Sequence, residues 1–248
     1  EKGKYSLSFL VLTTGILISF SALTISRNSD WKDLLTLFRK DVKKFDDSYN
    51  LHYIIVNALT PQIFKTPEGP KRKEMIEEAL SHYRKIAELV EIGIEKYPSD
   101  FTSKNNLGTI YVNYLLTPEK AQSLFEQAIA LKPDYVEAYY NLAYSYEKRN
   151  MTDSAIKYYE KTIGLDHYHS RAYSQLHKNY LTKNEYKKAV LYGQKAVKYF
   201  PDHTEFFVNL GNVYLLEKDT LNGIKCFEQA VELEPSNNDL RAQIINFL

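Results

Sequence analysis

Cysteine is almost missing from these 248 residues. The single Cys226 rules out an internal disulfide framework, and a small side chain of this kind is expected to be buried in a helix interface. Charge of one sign is missing too. Thirty-two Lys and Arg against 31 Asp and Glu leave a net +1, which argues against nucleic-acid binding driven by bulk charge. No phosphate-cradling glycine loop, nucleophile elbow or HExxH occurs. Among the six histidines (His52, His82, His167, His169, His177 and His203) the closest pair is His167 and His169, without a nearby cysteine or carboxylate pair. The residues therefore predict no metal centre, no cofactor, no small-molecule substrate and no catalysis by this segment.

What is present is periodicity. In residues 136–169, Tyr139, Leu142, Ala143 and Tyr146 recur at helical spacing. After a polar break at residues 148–153, Ala155, Tyr158, Tyr159, Thr162, Ile163 and Leu165 form a second run. Two amphipathic helices and a tight turn in 34 residues resemble a tetratricopeptide repeat. The same pattern marks residues 101–135, with one extra residue near Thr117 and Pro118, and residues 170–203 and 204–237. Small residues such as Gly108, Ala143, Ala155, Ala189 and Gly211 let paired helices approach closely, and most of the 21 tyrosines fall at core positions. Residues 238–248 read as a capping helix, because the last repeat of an array needs cover. The expected fold is all-α: a right-handed tetratricopeptide-repeat solenoid preceded by a transmembrane helix.

That leading helix is expected in residues 1–27. Tyr5–Ser26 carries no charge over about 22 residues, enough to cross a bilayer core. The glutamate at position 1 suggests a start inside a longer chain. Residues 28–100 read as divergent first helices and an expanded first repeat. One apolar stripe runs through Trp31, Leu34, Leu35, Phe38, Val42 and Phe45, and a second places Leu51, Tyr53, Ile55 and Leu59 inward. Three prolines and a glycine predict a loop insertion over residues 60–70, followed by a long helix from about Lys71 to Tyr97. Arg27, Asn28, Trp31, Leu37, Phe38 and Tyr53 resemble the junction, in polytopic O-mannosyltransferase-like membrane proteins, between a last span and C-terminal tetratricopeptide repeats. That resemblance implies membrane localisation, with repeats on the periplasmic or lumenal side. The excess of Lys and Arg after the span would instead place them in the cytoplasm.

The first-helix face left free of packing is the expected groove. It presents Asn105, Asn106 and Thr109, then Tyr140, Asn141 and Tyr144, then Arg171, Gln175 and Lys178, then Asn209 and Asn212. Just before the Leu-Gly position stand Asn106, Asn141, Gln175 and Asn209. An amide carries a donor and an acceptor, so such a column can bond an extended peptide backbone. It resembles the asparagine ladder in the repeats of the N-acetylglucosamine-adding protein glycosyltransferase. Asn105, Thr109, Asn141, Arg171 and Gln175 also stand where cochaperone repeats clamp a C-terminal carboxylate, with most of the positive charge missing. The expected partner is a protein or extended peptide. The rival expectation is a generic adaptor assembling an envelope or cytoplasmic complex.

Overall fold

A computed structural model describes residues 34–237. The expected span at residues 5–26, the Arg27–Trp31 junction and the capping helix at 238–248 lie outside the described residues. Among the described residues no helix is long and apolar enough to cross a membrane, and the regular structure is entirely helical. The chain divides into two compact units between Ile92 and Gly93.

The first unit contains α1 (Leu34–Val42), α2 (Tyr49–Lys65) and most of α3 (Pro70–Lys96). Leu35, Val42, Ile55, Leu59, Met75 and Ala79 form its core. Ser48 opens α2 by accepting a hydrogen bond from the Leu51 amide. The inward face of α2 is His52, Ile55, Val56 and Leu59, which corrects the expectation for Leu51 and Tyr53. Tyr53 is exposed and stacks on Tyr49, and Leu51 sits at the core edge. The helix phase is set by the aliphatic residues, and His52 follows them inside because both its ring nitrogens find partners. Its Nδ1 lies 2.7 Å from His82 Nδ1, and its Nε2 lies 2.9 Å from the Asp46 carbonyl. Phe45 is also exposed, because α1 ends at Val42 and the stripe does not continue.

The expected loop over residues 60–70 is corrected as well. Helix α2 runs through Pro61 to Lys65, leaving only residues 66–69 between helices. Proline removes the bond to the Asn57 carbonyl, but Asn57 is exposed, so water can replace the lost donor. Pro70 opens α3, where an amide hydrogen would have no helical partner.

Among its described residues the second unit continues with four helix pairs. They are α4 (Phe101–Asn113) with α5 (Pro118–Leu131), α6 (Val136–Lys148) with α7 (Thr152–Leu165), α8 (Ser170–Thr182) with α9 (Tyr186–Tyr199), and α10 (Thr204–Leu216) with α11 (Thr220–Leu233). Each pair joins a 13-residue helix to a 14-residue one. Leu116, Asn150, Asn184 and Lys218 take a left-handed backbone (φ 52° to 63°) in the turn within each pair, 34 residues apart. Asn tolerates that conformation; Leu and Lys are held there at a cost. The extra residue of the first pair lies before this turn position, since α5, α7, α9 and α11 begin at a constant interval.

Buried positions recur with the same period. Ala121, Ala155 and Ala189 are fully enclosed, with Gly223 at the fourth place, and Leu107, Leu142, Leu176 and Leu210 line the first helices. Close approach explains the small residues. A Cβ on Gly108 would lie 2.6 Å from the ring of fully buried Phe125, and one on Gly211 would lie 3.1 Å from Phe227. Burying each large side chain contributes roughly 1.5–3 kcal/mol.

Candidate functional site: a groove on the first helices

The first helices of successive pairs face a common groove of about 600 Å³. Helix α4 supplies Asn105, Asn106, Thr109 and Asn113; α6 supplies Glu137, Tyr140, Asn141 and Tyr144; α8 supplies Arg171 and Gln175. Lys178, Asn209 and Asn212 of the expected groove residues lie outside this lining. Lys178 is tied instead to Glu147, and Asn212 is exposed.

The four aligned amides do not form a uniform column. Asn106 is exposed, whereas its neighbour Asn105 is buried. Asn141 Nδ2 donates to Asn105 Oδ1 at 2.9 Å, so one amide of the groove already bridges α4 and α6. Gln175 acts on the Tyr140 hydroxyl from α8, and its Oε1 is enclosed without a partner within the protein. Tyr140 is itself buried, and desolvation raises its phenol above the ordinary value. It remains protonated and able to donate across the physiological range.

Charge in the groove is paired across α6 and α8. Arg171 Nη2 lies 3.3 and 3.2 Å from the two Glu137 oxygens, and its guanidinium sits 4.8 Å over the Tyr140 ring. Lys178 Nζ donates to Glu147 Oε1 at 2.9 Å, and the Tyr159 hydroxyl donates to the other Glu147 oxygen at 2.9 Å. The two ion pairs link residues more than 30 positions apart, which helical spacing within one repeat does not reveal. Tyr135, in the turn before α6, also lines the groove and was missed by face counting. Its edge-on packing against Phe101 at 5.0 Å holds it there.

The histidine pair is accounted for by structure. His169 Nδ1 accepts from the Ala172 amide and so caps α8, and desolvation by burial lowers its basicity. His167 Nδ1 lies 2.6 Å from the Ile163 carbonyl. Among the described residues no group of three or more His, Cys, Asp or Glu is placed to hold a metal ion. Cys226 is half-buried rather than enclosed, and burial pushes its thiol up to about 11, which leaves it protonated and unreactive at neutral pH.

Paired helices at a 34-residue interval have the fold of a tetratricopeptide-repeat solenoid. Tetratricopeptide-repeat family models match residues 136–169 and 204–237. Among solved structures, the chain resembles a MamA from Desulfovibrio magneticus RS-1 at 21% identity and a TM-score of 0.53, over 76% of this chain and 96% of that one. Another MamA structure gives 21% identity and a TM-score of 0.54, over 68% and 94% of the two chains. YrrB, described as a TPR protein with an unusual peptide-binding site, gives 18% identity and a TM-score of 0.50, over 83% and 96%. Sequence comparison with curated proteins gave no match.

Proposed function

We propose that the second unit is a protein-interaction scaffold that holds an extended polypeptide in the groove between α4, α6 and α8. The observation that carries this reading is the convergence of amides and phenols from three successive first helices on one open channel. Exposed Asn106 offers both a donor and an acceptor there, which suits the backbone N–H and C=O groups of an extended chain. The peptide-binding site in the description of YrrB is in keeping with it.

Binding of unstructured, uncharged peptides to the full chain, read by fluorescence anisotropy, tests the reading. Asn106→Ala combined with Tyr144→Ala should weaken binding about tenfold, or about 1.4 kcal/mol, without shifting the thermal melt. Unchanged affinity would remove the groove as the binding surface.

We further propose that these repeats are the C-terminal region of an O-mannosyltransferase-like membrane protein, anchored through residues 5–26 with the repeats periplasmic or lumenal. This setting rests on the sequence resemblance around Arg27, Asn28, Trp31, Leu37, Phe38 and Tyr53. The full chain should then float with membranes and resist carbonate extraction. Recovery in the aqueous fraction would end the proposal.

A further inference from the structure

Arg171 is the cation that α8 brings to the groove lining, and α6 already engages it, as it also engages Lys178 beyond that lining. Arg171 faces both oxygens of Glu137 while lying over the Tyr140 ring, and Lys178 is bound to Glu147. The two carboxylates sit differently, since the Glu137 side chain is 46% exposed and lines the groove. Glu147 is only 18% exposed and is held from behind by the hydroxyl of fully buried Tyr159. Glu137 stands in the first turn of α6, beside Ala138, which is fully enclosed.

The consequence is electrostatic. A carboxylate entering the channel to reach Arg171 would come within several ångströms of Glu137, whose charge opposes it. The attraction to the cation and the repulsion from its partner nearly cancel, and desolvation of the newcomer is left uncompensated. An uncharged stretch meets no such opposition and can use the amides and phenols while both ion pairs stay intact. Building on the peptide-groove reading above, we infer that Glu137 is a specificity-determining residue, which selects uncharged internal stretches of polypeptide and rejects acidic segments and free C-terminal carboxylates.

The test uses the full chain and two synthetic peptides. One is uncharged and capped at both ends; the other has the same length, several Asp and Glu, and a free C-terminus. The variant Glu137→Gln keeps one acceptor oxygen for Arg171 and removes the opposing charge. Wild type should prefer the capped peptide. The variant should shift the ratio of acidic-peptide to capped-peptide affinity about tenfold toward the acidic peptide, and that shift should disappear in high salt. The inference is overturned if wild type already prefers the acidic peptide, or if the variant leaves that ratio unchanged while circular dichroism shows an unaltered fold. Failure of the wild type to bind the capped peptide would instead overturn the groove reading, and the specificity assignment with it.

Discussion

The third regular repeat solves the packing between its two helices differently from its neighbours. Elsewhere a ring on the second helix fits against a small residue on the first. Phe125 presses on Gly108 and Phe227 on Gly211, while Tyr159 and Ala143 occupy the same pair of positions, both fully buried. In residues 170–203 the sizes are exchanged: His177 stands at the small position and Gly193 at the ring position. Both are buried. The space opened at Gly193 is taken by the next repeat, since a Cβ there would lie 2.9 Å from Leu210 Cδ1. What the repeats share is therefore a filled interface, with residue identity and the residue that fills it free to change.

The largest expected effect breaks this exchange. Gly193→Phe restores the neighbours' ring while His177 and Leu210 still fill the site, and should cost about 3 kcal/mol by overpacking. Adding His177→Ala reproduces the size order of the second repeat. It should recover part of the loss, with a favourable coupling of roughly 1 kcal/mol in a double-mutant cycle from urea denaturation. Strictly additive losses would show that the two positions do not share the space.

The same contrast explains what could be read without coordinates. The repeat interval was legible because it is written locally, in helical spacing and in polar turns ending at Asn150 and Asn184, whose side chains tolerate a left-handed backbone. The groove face was legible to the extent that one helix carries it, which gave Tyr140, Asn141 and Tyr144 of α6. Contacts between helices were not. The Asn141–Asn105 bond and the Arg171–Glu137 pair depend on the stagger of successive repeats, so equal-looking amides end in unequal surroundings. In the first unit the prolines misled. Pro61 sits on an exposed turn of α2, where losing one hydrogen bond is tolerable, and His52 enters the core because His82 and the Asp46 carbonyl satisfy it.

A smaller effect separates the repeats by pH. His177 occupies the buried place where the neighbours carry glycine or alanine, its Nδ1 has no partner, and desolvation lowers its basicity below the ordinary histidine value, which an interaction with the Ala189 backbone only partly opposes. The folded state therefore prefers the neutral ring, and the unfolded chain binds the proton more readily. Stability from this site is complete above the ordinary histidine value of about 6.5 and is lost as pH falls below it, because the unfolded state takes up protons first. Comparing the denaturation midpoint at neutral pH and at about pH 5 should show a decline in wild type and a shallower one in His177→Ala. Part of the slope should persist in that variant, because burial also lowers His169 and His82. Identical slopes would mean that the ring at position 177 is already protonated or hydrated in the fold, and the exchanged repeat would then be no more acid-sensitive than its neighbours.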